Sequence, residues 1–335
     1  MTARAADNAQ EPAKSLPDHR RAHAIHAPVQ GLRGSVIIAT WNTRDLLADC
    51  LDSIREQDLP GGLETIVVDN ASTDGTAELL AERAAAGEVR VIANARNAGF
   101  AEANNQGAAA ARGRILFLLN SDTRLTAPDT LARLADAAEA PGVGVAGPML
   151  LNPDGSLQAS CAAHPSPGRA LLVGAGLHRL VPDRLRPRLS PDTWSHSAAA
   201  DVDWLKGAAL AIPAGEFQAV GGLWPTMYGE EQDLALKLRR RGLRVRFEPA
   251  ARVVHVGNQT ASKRWSDAGR ARRVAHAELL FLRTHYPRPR AAAIRSITGT
   301  AYAARALAHT LLRHRGQAAV YRALARTYAA GGGEP

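Results

Sequence analysis

Cysteine is nearly absent from this chain: Cys50 and Cys161 are the only two in 335 residues, they lie far apart, and no CxxC pair occurs. That excludes a disulfide framework and a zinc-finger type of site, and it fits a reducing, cytoplasmic setting. Aromatic residues make up only 4%, which argues against a nucleic-acid binder, since such proteins interleave aromatic platforms with cations. No apolar run reaches the roughly 18–20 residues needed to span a bilayer. Residues 1–33 mix Ala, Arg, His and Pro without the continuous apolar core of a signal peptide, and are expected to form a disordered leader. Acidic residues are missing entirely from 279–333, where arginine recurs throughout.

What is present has a strong sign. The 41 Lys+Arg against 32 Asp+Glu give a net charge of +9, with a pI near 10.2. Such a balance favours anionic ligands or surfaces and says nothing about fold. Hydrophobic residues at 46% and a length of 335 suffice for one large α/β domain with appendages.

The first half alternates in period. Short β-branched runs at 35–40, 64–69, 89–92 and 114–119 read as buried strands, and the stretches beginning near Arg44, Asp74, Phe100 and Pro128 carry helical spacing. Strands and helices alternating in this way predict a mostly parallel sheet covered on both faces. Ligands of such sheets bind beyond the carboxyl ends of the strands, and the polar clusters at 40–42, 69–72, 94–105 and 120–122 all follow a strand end. In the second half, 160–200 reads as a loop or small helical insert and 202–212 as strand-like. Residues 230–241 read as a helix, 244–247 and 253–256 as two short strands, and the chain from about Lys263 as helical.

Several residues could carry chemistry. Asp69 ends a strand and precedes Asn70-Ala-Ser-Thr-Asp-Gly75. A turn capped by Ser72 or Asp74 explains the loop, but a carboxylate at the strand tip also suits a ribose or base edge. Asn120-Ser-Asp122 is either a capping turn or a source of oxygen ligands for Mg2+ or Mn2+, ions held by one or two carboxylates plus substrate phosphates. Gly229-Glu-Glu-Gln-Asp-Leu234 places Glu230 and Glu231 in the first turn of a helix, where acids complement the dipole and Asp233 can pair with Lys237. Either glutamate could equally serve as general base toward a hydroxyl. His255 is a structural histidine or a further metal ligand. Gly142-Val-Gly-Val-Ala-Gly147 matches the dinucleotide fingerprint GxGxxG, but it sits inside a strand-like valine run followed at once by Pro148, with no acid near Pro167.

Together these motifs, in order from about 35 to 255, resemble the family 2 glycosyltransferases, and within them the rhamnosyltransferase-like bacterial subgroup. The resemblance implies an inverting enzyme of the GT-A type, a nucleotide-diphospho-sugar transferase fold with a mostly parallel central sheet flanked by helices. Boundaries follow as a leader at 1–33, the transferase domain at 34–262 and a basic helical C-terminal extension at 263–335. It implies donor contacts at Thr40, Asn42, Asp69, Asn97, Gly99, Asn104 and Ser121, and a divalent cation, Mg2+ or Mn2+, at Asp122 and His255. Trp204, Gly207 and Asp233 would lie on the acceptor side, and Glu231 would be the base, with Glu230 the alternative. Two departures matter: Asn120 replaces the first acid of the metal motif, and Glu231 stands where an aspartate is usual. The implied donor is a dTDP- or UDP-sugar. The implied acceptor is a glycan or a polyprenyl-linked hydroxyl in cell-surface polysaccharide synthesis, and no nucleic acid is involved. A nucleotidyltransferase would need a Gly-rich basic loop where Thr40-Trp-Asn-Thr-Arg44 stands. In the extension, Val320, Leu324 and Tyr328 share one helical face with Arg322 and Arg326 opposite. That helix could pack its stripe on the domain or rest on anionic lipid as a peripheral anchor at the inner face of the membrane.

Overall fold

The computed structural model describes residues 31–226, 228–257 and 267–331. The expected leader, apart from its last three residues, and the expected boundary at 262/263 lie outside them. The chain runs β1 (Gly34–Thr40), α1 (Arg44–Arg55), β2 (Leu63–Asp69), α2 (Thr76–Ala85), β3 (Arg90–Ala93), α3 (Phe100–Ala110), β4 (Ile115–Asn120), β5 (Thr123–Leu125), α4 (Thr130–Glu139) and β6 (Val143–Leu151). It continues with β7 (Leu157–Gln158), β8 (Cys161–Ala162), α5 (Pro167–Gly174), α6 (Arg186–Leu189), β9 (Ala200–Val202), β10 (Trp204–Leu205), β11 (Ala209–Pro213), α7 (Ala214–Ala219), α8 (Glu230–Arg240) and β12 (Arg244–His255). Three helices follow: α9 (Asp267–His285), α10 (Arg288–Leu311) and α11 (Arg315–Ala330).

The main sheet has the order β3-β2-β1-β4-β11-β6-β12-β5. β3, β2, β1 and β4 are parallel, as are β6 and β12, while β11 runs antiparallel between β4 and β6. Strands buried on both faces are apolar throughout, and each face takes every second residue. Val36, Ile38, Phe117 and Leu119 join the core under α1, α2 and α4, while Ile37, Ile66, Leu116 and Leu118 join the core under α3, α7 and α8. Each such side chain contributes about 1.5–3 kcal/mol by leaving water. Helix α3 can approach the sheet because it is built from small residues: a methyl group at Gly107 would collide with Ile37.

Two expectations change. The strand-like stretch 202–212 is broken into β9, β10 and β11, because β10 leaves the main sheet to pair with β8 and the chain turns at Lys206-Gly207. The two short strands expected at 244–247 and 253–256 are one strand, β12, whose register slips between Glu248 and Arg252. The GxGxxG match lies largely within β6, as its valine context foretold. The insert at 160–200 holds α5, α6 and short 3-10 turns.

Helices α9, α10 and α11 enclose a core of their own, with Leu279, Leu282, Ile294, Leu324 and Tyr328. The Tyr328 hydroxyl donates to Glu278 Oε2 at 2.7 Å. Leu324 and Tyr328, the stripe that could have faced lipid, are buried inside this bundle, so that route to a membrane surface is closed. The bundle is moored to α8: His285 Nε2 lies 2.8 Å from Asp233 Oδ1, and Arg240 Nη2 donates to His285 O at 3.0 Å.

Candidate active site

Sheet register gathers the polar strand ends. Thr40 is aligned with Asp69, Ala39 with Asn120, and Asp69 with Ala93, so the clusters seen in the sequence share one rim. Hydrogen bonds lock that rim. Thr40 Oγ1, Thr43 Oγ1 and Ser121 Oγ form a chain with 2.9 Å links. Asn42 N donates to Ser72 Oγ at 2.9 Å, and Ser72 Oγ donates in turn to Asp69 Oδ1 at 2.5 Å. Asn42 holds a positive φ of 54°, which an asparagine tolerates, and its Oδ1 accepts from Thr73 N at 2.7 Å. Asn70 Oδ1 accepts from Asn94 Nδ2 at 2.8 Å, and Asn97 Oδ1 accepts from Gly99 N at 2.9 Å, closing the loop before α3. Asn104 is fully buried; its Nδ2 donates to Phe100 O at 2.9 Å and its Oδ1 has no partner.

Next along the rim, β5 and β12 bring Asp122 and His255 together: His255 Nε2 is 3.4 Å from Asp122 Oδ1, and Gly257 N donates to Asp122 Oδ2 at 3.1 Å. A residue that no sequence pattern flagged sets the imidazole. Gln158 Nε2 donates to Asn152 Oδ1 (3.0 Å) and to His255 O (3.2 Å), which leaves Gln158 Oε1 as the acceptor 2.7 Å from His255 Nδ1. Nδ1 therefore faces an acceptor, and Nε2 is the nitrogen turned toward Asp122. Asn120 Nδ2 lies 3.4 Å from Nε2, while Asn120 Oδ1 is buried without a partner. The Asp122 carboxylate and His255 Nε2 thus converge, and this donor pair fits a divalent cation. Among the described residues no three His, Cys, Asp or Glu side chains group together as metal ligands.

The opposite wall comes from α8. Glu231 reaches the turn after β10: the Gly207 backbone N–H bonds its carboxylate, and a Cβ at position 207 would strike Glu231 Oε1. Burial pushes the Glu231 carboxyl above its ordinary value, opposed by that N–H and by Lys206. Burial, then repulsion from Glu231, push the Glu230 carboxyl well up as well, and Glu230 Oε2 is buried without a partner. Trp204 packs against the core under α8 with its indole N–H unpartnered. Asp233 turns the other way. Lys237 Nζ lies 2.7 Å from one of its oxygens and His285 from the other, so it anchors the bundle.

The rim and this wall are continuous. Asn120 N donates to Ala208 O at 2.9 Å, and Ala208 follows the Gly207 that holds Glu231. Asp69, Thr40, Thr43, Ser121–Asp122, Ala208–Gly207 and Glu231 therefore form one unbroken series of neighbours.

Comparison with known proteins gives the same class. The Glycosyl transferase family 2 profile matches residues 35–160. An uncharacterized protein of Sinorhizobium fredii is 30% identical over 260 residues, covering 75% of this chain and 27% of that protein. The N-acetylglucosaminyl-diphospho-decaprenol L-rhamnosyltransferase of Mycobacterium tuberculosis is 28% identical over 216 residues, covering 58% of this chain and 66% of the relative. The chain thus spans less than two thirds of either relative's length. A mannosyltransferase from Pyrobaculum calidifontis, solved with GDP-Man and Mn2+, superimposes with a TM-score of 0.58 at 21% identity, over 96% of this chain and 90% of that one. The fold is that of the GT-A glycosyltransferases. Residues 35–160 are similar to glycosyl transferase family 2, and the mycobacterial relative is a glycosyltransferase as well.

Proposed function

We propose that the protein transfers a sugar from a nucleotide-diphosphate sugar to a hydroxyl of a glycan or lipid-linked acceptor, with inversion, in the synthesis of a cell-surface polysaccharide. The observation that supports this reading is the series of neighbours from Asp69 to Glu231, which links the polar strand ends, Asp122 and the Glu231 carboxylate. The mycobacterial rhamnosyltransferase among the relatives makes a dTDP-linked L-rhamnose the first donor to test.

Asp69, Asn42 and the 97–104 segment orient the nucleotide and supply position. Asp122 and His255 would hold Mg2+ or Mn2+; the cation would supply Lewis-acid stabilisation of the charge that grows on the departing diphosphate. Gln158 would keep His255 in the tautomer that can donate its Nε2 lone pair. Glu231 accepts the acceptor hydroxyl's proton as the new C–O bond forms at the anomeric carbon and the bond to the diphosphate oxygen breaks. A carboxylate raised by burial is a better base near neutral pH than an exposed one. Glu231 is favoured over Glu230 because it touches Gly207 on the acceptor side, whereas Glu230 contributes mainly to its neighbour's raised affinity for a proton.

The test is release of nucleotide diphosphate across a panel of dTDP-, UDP- and GDP-sugars, with and without Mg2+ or Mn2+, followed by the same assay on Asp122→Asn. Release from one donor that needs the cation and collapses in the variant is the expected result. No release from any donor, or an unchanged variant, would overturn the reading.

A further inference from the structure

The large apolar side chains that remain exposed are not scattered. Among the described residues, five of the eleven are leucines between positions 171 and 189, and three more are leucines between 307 and 312, with Leu180 at 78%, Leu311 at 75% and Leu307 at 62% exposure. Isolated exposed leucines are ordinary, but a concentration of this kind marks a contact surface. The two segments lie on elements that touch: Arg305 Nη2 donates to Val173 O at 2.7 Å, and a methyl group on Gly174 would come within 3.1 Å of Ala301 Cβ. On α10, Ile294 and Tyr302 face the bundle, yet Ala304, Leu307, Ala308 and Leu311 repeat at i, i+3, i+4 and i+7 on the solvent side. A helix of a folded domain normally turns such a stripe inward.

Charge decides what covers it. Arg179, Arg184 and Arg188 are exposed, and each stands immediately before an exposed leucine. The nearby acids are paired with other arginines, Asp183 with Arg186 and Asp192 with Arg169, and none occurs at 279–333. A second copy of the chain, meeting this face by a two-fold axis, would set arginines against arginines. Leucines beside uncompensated arginines suit an anionic bilayer, where apolar side chains enter the acyl boundary and guanidinium groups meet the headgroups. The location also suits a lipid-borne acceptor. The 163–199 segment springs from β8, which pairs with β10, and Gly207 follows two residues after β10.

We propose that the exposed face formed by residues 171–189 and the C-terminal end of α10 docks the protein on an anionic membrane, with its acceptor side toward the lipid. This rests on the transferase reading above but is tested apart from it. The full-length chain is sedimented with vesicles of phosphatidylcholine alone or mixed with phosphatidylglycerol. Binding to the mixed vesicles that weakens with salt is expected, with little binding to phosphatidylcholine alone. Replacing Arg179, Arg184 and Arg188 by serine lowers binding by about 100-fold at low salt, at roughly fivefold per arginine, and Leu307→Ser with Leu311→Ser lowers it too. Nucleotide-diphosphate binding, measured by calorimetry, stays at the parent value in every variant and reports that the domain is folded. Absence of binding to the mixed vesicles, parent-like binding by both variants, or a dimer in sedimentation velocity that the leucine variant dissolves would each overturn the proposal. Loss of donor turnover in Asp122→Asn with unchanged vesicle binding would leave it standing.

Discussion

The rim of polar strand ends and the α8 side are built on opposite principles. On the rim, Thr40, Thr43, Ser121, Asn42, Ser72 and Asp69 bond to one another, so its shape is fixed before a ligand arrives. On the α8 side, Glu230 Oε2 and the Trp204 indole N–H are buried without partners. A buried unsatisfied polar group costs about 1–3 kcal/mol, and such a cost tends to persist where a ligand relieves it. The contrast teaches that the hydroxyls and the Asp69 carboxylate of the rim are held by one another, with Asn104 Oδ1 and Asn120 Oδ1 left over, whereas the α8 side keeps its polar groups unspent.

Four changes would break or sharpen that contrast. The largest effect is expected from Glu231→Gln, which removes the proton acceptor and should lower kcat by about 10²–10⁴-fold while leaving donor binding unchanged; steady-state kinetics with calorimetry separate the two. Gln158→Leu frees the His255 ring and should weaken Mn2+ binding by about 10–100-fold in the presence of a nucleotide diphosphate. Paramagnetic resonance reads this without turnover, and Gln158→Glu, which keeps an acceptor for Nδ1, should restore most of it. Thr43→Val cuts the hydroxyl chain of the rim and leaves buried oxygens unpaired, at about 1–3 kcal/mol of stability by urea titration, with a smaller effect on the chemical step. The smallest effect is a pH dependence. Burial holds His164 at about 4, below its ordinary 6.5, with Asp203 opposing the shift. The folded state therefore resists a proton that the unfolded chain takes up. Stability is intact above pH 6.5 and declines as pH falls toward 4, by on the order of 1–3 kcal/mol; His164→Phe should flatten that decline in thermal melts.

The rim was legible in the sequence because local rules govern it. Short, continuously apolar runs define β1, β2 and β4, and polar residues at consecutive strand ends of a parallel sheet must share an edge. Glu230 and Glu231 were legible as first-turn acids, although the contact that distinguishes them, Gly207, depends on a turn some two dozen residues earlier. Gln158 was not legible: a glutamine on a two-residue strand carries no pattern, and its role exists only because β12 runs unbroken to His255. The break of 202–212 was equally hidden, since β-branched composition cannot tell a strand that changes sheets from one that does not. The stripe of α11 was seen, and its destination was settled by α9 and α10 rather than by its own residues.

The ion pair between Asp233 and His285 has a mechanical corollary. Asp233 sits two positions past Glu231 on the same helical turn, and His285 closes α9 just before α10 begins. A force applied to the terminal bundle, by whatever it settles upon, is thereby transmitted to the helix that carries Glu231. The tail is a lever whose short arm is α8.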